Sequence, residues 1–164
     1  LPVYLAMAGW EHMEAGGFLA LWVIGYGFIQ AASPRLLKRF HSNGTTARWL
    51  VLALSFIPAV MALLLAKGVD GISVVVIGLM LFGILFAINS ALHSYLIVAW
   101  SDRDKVSLNV GFYYMANAGG RLAGTILSGL AFQLWGLAGC LVFSFLFLLA
   151  AWLISYRLPD GLSA

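Results

Sequence analysis

Residues 106–135 read VSLNVGFYYMANAGGRLAGTILSGLAFQLW, an apolar run with one formally charged side chain, Arg121, near its middle. A helix needs roughly 17 to 25 residues to cross the hydrocarbon core of a membrane. Backbone polar groups in lipid must be satisfied within the segment, and this run lacks the alternating pattern of barrel strands. The run therefore predicts a membrane-spanning helix that carries a charge at mid-depth.

The rest of the chain repeats this apolar pattern. Of the 164 residues 63% are hydrophobic and only 9% are charged, whereas about a quarter are charged in soluble domains. We predict an all-α membrane protein with one transmembrane helical domain over residues 1–164. Its spans are predicted at residues 1–10 (partial), 17–33, 47–66, 72–100, 106–135 and 137–156.

The start of the chain indicates a fragment. Leu1 is not an initiator methionine, and residues 1–10 have the composition of an apolar segment entered part-way along. No basic leader typical of a signal peptide precedes them. We therefore expect further sequence upstream.

The basic residues lie in the connections and predict the orientation. Cytoplasmic loops normally hold the excess of Lys and Arg. Only Lys67 lies in the other set of connections, whereas one set holds seven basic residues: Arg35, Lys38, Arg39, Arg48, Arg103, Lys105 and Arg157. The connections after the second and fourth spans and the C-terminus are therefore predicted to be cytoplasmic. On this interpretation the basic residues that give the net charge of +3 orient the chain in the membrane. We therefore expect no nucleic acid as a partner.

Turn signals mark two connections. Pro34 is predicted to stop one helix, and a polar loop follows it as far as residue 46. Trp135 and Gly136 are predicted to form a tight turn between the last two spans.

Polar side chains in residues 106–135 recur at steps of four, which places them along one helix stripe. They are Asn109, Tyr113, Asn117 and Arg121. The arginine fork matches phosphate or carboxylate oxygens, and the neutral side chains can add donors. The alternative is a structural pair between Arg121 and an acid. No other complete span holds a mid-depth Asp or Glu, so such an acid would come from sequence upstream.

Four further features are candidates for a site or for packing. The small residues Gly120, Gly124 and Ser128 predict close helix packing. Gln30 is a secondary cavity candidate. Asn89 and His93 lie one turn apart in the fourth span, where His93 either relays a proton or bonds a neighbouring helix.

Known catalytic patterns are not found in the sequence. It holds no nucleophilic triad, no phosphate-cradling glycine loop and no intramembrane carboxylate pair, and the residues around His12 do not form a zinc motif. The single cysteine, Cys140, is interpreted as a small buried hydrophobe. We predict a protein that is not an enzyme, with no cofactor and no metal.

The pattern of spans resembles the C-terminal half of a major facilitator superfamily transporter, from the tail of helix seven through helix twelve. PRLLKR (34–39) is similar to that family's basic 8/9 loop motif, without its common aspartate. AINSALHSYLIVAWS (87–101) and NVGFYYMANAGGRLAG (109–124) resemble the ArsJ-type organoarsenical efflux permeases.

This resemblance implies secondary active efflux of 1-arseno-3-phosphoglycerate across the inner membrane, which confers arsenate resistance. Glyceraldehyde-3-phosphate dehydrogenase makes that compound when it accepts arsenate, so the resemblance implies a functional link to that enzyme. Arg121 would bind an anionic group, Asn117, Tyr113 and Asn89 would orient it, and His93 would couple protons. The expected partners are the substrate, the lipid bilayer and an N-terminal half of the same transporter.

Two other functions stay open. The chain could belong to a sugar-phosphate, organic-anion or drug carrier of the same superfamily. It could also be a non-transporting membrane scaffold or sensor, in which Arg121 pairs with a buried acid.

Overall fold

The computed structural model describes residues 1–37 and 43–159, which contain helices and turns but no strand. The elements in chain order are α1 (Pro2–Met7), α2 (His12–Leu37), α3 (Gly44–Ala66), α4 (Gly71–Ala99), a 3-10 turn (Arg103–Lys105) and α5 (Val106–Ser155). The helices α2 to α5 are each long and apolar enough to cross a membrane. The chain is therefore an all-helical membrane protein.

Helix α5 is broken at Gly136, where φ is +63° and ψ is −158°. Cys140 Sγ lies 3.3 Å from the Ser128 carbonyl oxygen. These residues would lie roughly 18 Å apart along one straight helix, so the chain reverses at the break. A positive φ favours glycine, which has no side chain to clash. The break divides α5 into a first arm, 106–135, and a second arm, 137–155.

Helix α3 holds the bundle together. Its first half packs against α4 in a cluster of Ala47, Leu92 and Leu96. Its second half reaches both α4 and the second arm of α5 in a cluster of Met61, Val74, Val75 and Leu141. Early residues of α3 thus meet late residues of α4, and late residues meet early ones. The helices α3 and α4 are antiparallel.

Helices α2 and α4, in contrast, are parallel. Trp22 Nε1 donates to the Leu79 carbonyl at 2.8 Å. Further along both helices, Gln30 Nε2 donates to Ser90 Oγ at 3.3 Å. Both helices run in the same direction and rise by the same distance per residue. Moving the same number of residues along each one from a shared contact therefore reaches the same depth.

Arg48 joins the start of α3 to the end of α5. Its Nε donates to the Ser155 carbonyl at 3.2 Å and its Nη2 to the Leu158 carbonyl at 3.0 Å. Its guanidinium carbon lies 5.2 Å from the centroid of the Tyr156 ring. The last carbonyls of a helix have no partner within that helix. Arg48 therefore supplies the donors that the C-terminal end of α5 needs.

Side-chain caps begin α3 and α4. Asn43 Oδ1 accepts from the Thr46 backbone N–H at 2.9 Å, and Asp70 Oδ2 accepts from that of Ser73 at 2.8 Å. Such caps satisfy one of the unpaired donors of the first turn. Hydrogen bonds from Ser73 also hold the pKa of Asp70 below its ordinary value.

The expectation that Pro34 stops a helix is wrong, because α2 continues through it to Leu37. A proline within a helix removes one donor, here the one that would meet the Gln30 carbonyl. Membrane helices tolerate such losses where neighbouring helices and Ser side chains re-satisfy the backbone. The preceding residue, Ser33, is fully buried and donates to the Ile29 carbonyl at 2.7 Å. Lys38, Arg39 and Ser42 of the predicted loop lie outside the described residues.

Close packing of α3 on α4 predicts a stability effect at Gly78. A Cβ atom built there would lie 2.7 Å from Met61 Cγ and Cε, well inside van der Waals contact. We expect Gly78→Ala to lower the free energy of unfolding by about 1–3 kcal/mol, the usual range for overpacking. Thermal unfolding of the detergent-solubilised protein measures this.

Gly129→Ala is the matched control, because a Cβ atom there meets nothing within 4 Å. Alanine is the better helix former, so the control should be neutral or slightly stabilising. Equal unfolding midpoints for the two variants would contradict the tight α3–α4 contact.

Candidate functional site

Three helices present residues at steps of four to one groove of about 680 Å³. This spacing keeps side chains on one face of a helix. The residues in these three stripes are Trp22, Tyr26 and Gln30 of α2, Phe86, Ser90 and Ser94 of α4, and Tyr113, Asn117 and Arg121 of the first arm of α5. The structure thus brings four sequence-predicted site residues together: Gln30, Tyr113, Asn117 and Arg121.

Arg121 gives the groove its charge. It lies near the middle of the first arm, and its side chain is exposed. Within residues 1–37 and 43–159 the guanidinium has no acidic or hydrogen-bonding partner, and the groove lining includes no Asp or Glu. A guanidinium offers five donors and no acceptor. The groove is therefore suited to an anion.

Neutral polar groups surround the same space. Gln30 Nε2 donates to Ser90 Oγ, which leaves the Ser90 hydroxyl hydrogen available. Asn117 and the hydroxyls of Tyr26 and Tyr113 make no hydrogen bond to the described part of the protein. These groups can donate to a ligand or to water without breaking a contact within the bundle.

A hydrogen bond at one end of the groove sets the depth of Arg121. Asn109 Nδ2 donates to Ser101 Oγ at 3.0 Å, where the first arm of α5 begins and α4 has just ended. The two helices leave this point side by side, and twelve residues of each rise by the same distance. Arg121 is then level with the turn of α4 between Phe86 and Ser90. These residues contact Tyr26 and Gln30 respectively, so the charge lies beside the α2–α4 contact.

Three predicted site residues do not line the groove. Asn109 is engaged with Ser101 at its end. His93 Nδ1 lies 2.9 Å from the Asn89 carbonyl oxygen, and Asn89 Oδ1 is buried without a hydrogen-bond partner. One residue along a helix turns the side chain by about 100°. The face of α4 that meets the groove is accordingly the one with Ser90.

Five lining residues were not predicted as site residues from the sequence: Trp22, Tyr26, Phe86, Ser90 and Ser94. A signal was present in the spacing, because Trp22, Tyr26 and Gln30 follow one another at steps of four on α2. The choice between neighbouring polar residues of α4 had no such signal. Its rotation is set by the contact with α2.

The predicted packing ridge lines a second groove of about 460 Å³ between the two arms of α5. Gly120, Gly124 and Ser128 face Cys140 and Phe143 there. A Cβ atom built on Gly120 or Gly124 would meet nothing within 4 Å. Among the described residues no helix approaches closely enough to need these glycines, and their packing role stays a prediction.

Comparison of the chain with protein-family models, with curated proteins and with solved structures finds no match. The resemblance to organoarsenical permeases therefore stays a prediction. Within the described ranges no group of three or more His, Cys, Asp and Glu side chains could hold a metal ion. The functional conclusion rests on the chemistry of the groove.

The groove predicts that water reaches position 121. We expect Arg121→Cys, in a background with Cys140→Ala, to react with a water-soluble thiosulfonate reagent, because thiols react as thiolates and these form in water. Labelling in membrane vesicles, followed by mass measurement, reports the reaction.

Ile126→Cys provides the control on another face of the same arm, because Ile126 is 56% exposed but does not line the groove that contains Arg121. It should stay unmodified because it faces lipid. Equal labelling of the two positions would contradict a water-filled groove at Arg121.

Proposed function

We propose that the chain forms one half-bundle of a major facilitator-type secondary active permease that exports a small organic anion. The observation that carries the proposal is the guanidinium of Arg121, which has no partner among the described residues and lies in a groove of neutral donors. Arginine at the bilayer centre costs roughly 2.5–3.5 kcal/mol on insertion scales, and such residues usually face a cavity and mark a substrate path.

The donor set supports a phosphoryl, arsenyl or carboxylate ligand. An arginine fork can hold two oxygens of such a group at once, and charge-assisted bonds of this kind are about twice as strong as neutral ones. Asn117, Tyr113 and Gln30 border the same space and can orient the remaining oxygens. The resemblance to ArsJ-type permeases suggests 1-arseno-3-phosphoglycerate as the substrate, with arsenate resistance as the physiological result.

A polyanion of that kind needs more positive charge than Arg121 supplies. We propose that the second cation comes from an N-terminal half-bundle that covers the groove. Transporter sites of this type lie near the midplane between two halves that rock around them. Glyceraldehyde-3-phosphate dehydrogenase would supply the substrate on the cytoplasmic side, where the basic connections of this chain are predicted to lie.

His93 is the proposed site of proton coupling. Its Nδ1 lies 2.9 Å from the Asn89 carbonyl, and because a carbonyl only accepts, Nδ1 carries the hydrogen. Proton exchange then takes place at Nε2. Imidazole is the side chain suited to such exchange at physiological pH. His93 lies on the same helix as Ser90 and Ser94 of the groove lining, so a change of its charge would act on the ligand through α4.

The main test replaces Arg121 in the full-length protein expressed in an arsenate-sensitive strain. Arg121→Ala should abolish arsenate resistance and export of the organoarsenical, because the anion loses the one charged partner that the described groove lining supplies. Arg121→Lys should retain part of the export, since lysine keeps the charge but loses the fork. Cell survival and extracellular arsenic at equal protein level measure both.

Undiminished export by Arg121→Ala would refute the anion site. Normal folding of the full-length protein without any substrate-dependent flux in vesicles would instead favour the scaffold or sensor.

A second test separates coupling from binding at His93. His93→Asn places an amide donor where Nδ1 stands and removes the exchangeable Nε2. We expect the variant to bind substrate normally but to lose stimulation of export by a proton gradient. Flux in vesicles with and without an imposed gradient measures this, and unchanged stimulation would exclude His93 as the coupling residue.

A further inference from the structure

A continuous row of aromatic rings forms one side of the groove. The Trp22 and Tyr26 rings stack with 6.0 Å between their centroids and 20° between their planes. The centroids of Tyr26 and Phe86 are 5.8 Å apart, and their planes are tilted by 31°. The Phe82 ring stacks on the Phe86 ring, with 5.6 Å between the centroids and 18° between the planes. Trp22, Tyr26 and Phe86 all line the groove that contains Arg121. We call these three residues the aromatic wall.

Trp22 is held so that it can offer the groove only an apolar surface. Its single N–H donates to the Leu79 carbonyl at 2.8 Å. The indole also lies directly over Gly83, where a Cβ atom would come within 2.9 Å of Nε1 and 3.1 Å of Cε2. Indole has no other donor and no acceptor nitrogen. Polar recognition by Trp22 is thus excluded, and its contribution to a ligand is the ring.

Phe86 is 39% exposed although it borders a polar space. Phe86, Ser90 and Arg121 line the same groove. An anion that consisted only of phosphate-like groups would leave this apolar surface against water. An anion with a flat apolar body would cover it.

We propose that the groove accepts organic anions with a planar apolar body, the simplest being an aryl phosphonate. The anionic head meets Arg121, and the ring stacks in an offset arrangement on the aromatic wall. The inference rests on the proposed function, because it uses Arg121 as the anion site. It adds a substrate class that the wall selects and that a phosphoglycerate derivative does not belong to.

The test compares phenylphosphonate with methylphosphonate, which share a head group and differ in the body. Titration calorimetry with the full-length protein in detergent measures both dissociation constants. We expect phenylphosphonate to bind roughly three- to tenfold more tightly, as one aromatic contact would give. Arg121→Ala should weaken both ligands together.

Two variants remove the wall in different ways. Trp22→Leu deletes the ring, and Gly83→Ala displaces the ring without deleting it. Each should abolish the preference for phenylphosphonate, so that the two ligands bind the variant with equal dissociation constants. The matched control is Trp49→Leu on α3, whose ring is 67% exposed and does not line the groove. It should retain the full preference.

The outcomes separate the two proposals. Equal binding of the two ligands to the wild type, with both weakened by Arg121→Ala, overturns the aromatic wall and leaves the anion site standing. Binding of neither ligand, or no effect of Arg121→Ala, overturns the anion site and this inference with it. A preference that survives both Trp22→Leu and Gly83→Ala also overturns the wall. If Trp22→Leu does not fold, Gly83→Ala alone decides.

Discussion

The groove depends on a guanidinium that hydrocarbon cannot solvate. Among the described residues no acid lies near Arg121, and no side chain or carbonyl of the bundle accepts from it. Water or a ligand must therefore reach the middle of the first arm of α5. Asn117 and Tyr113 also hold donors without a partner in the described part of the bundle. These neutral groups need water or a ligand too, although less strongly than the charged guanidinium does. The polar groove lies where the donors of these three residues meet.

Three features of the bundle place this charge beside α2 and α4: the packing of α3, the break in α5 and one hydrogen bond between side chains. Helix α3 packs between α4 and the second arm of α5, so its contacts fix the frame without entering the groove. At Gly136 the chain reverses direction, so that the second arm packs on α3 and the first arm faces α2 and α4. The Asn109–Ser101 bond then sets the depth of the first arm against α4. The break and this hydrogen bond lie at helix ends, and the α3 contacts lie on the far side of α4, outside the groove lining.

Composition and spacing were sufficient for the helical membrane class, which the four long apolar helices confirm. They were also sufficient to assign Tyr113, Asn117 and Arg121 to one helix face, because steps of four determine a face whatever lies opposite. The facing residues were harder to predict. Asn89 and His93 are more polar than Ser90 and Ser94, yet α4 is rotated so that the serines meet Gln30. That rotation follows from Trp22 over Gly83, a contact between spans that no local pattern encodes.

The continuation of α2 through Pro34 has a related cause and bears on the groove. A stop at Pro34 would have left Gln30 in the frayed last turn of its helix, where its bond to Ser90 would be poorly fixed. With α2 intact to Leu37, Gln30 is a full two turns from the helix end. The continuous helix therefore holds the Gln30 amide in place for its hydrogen bond to Ser90 Oγ.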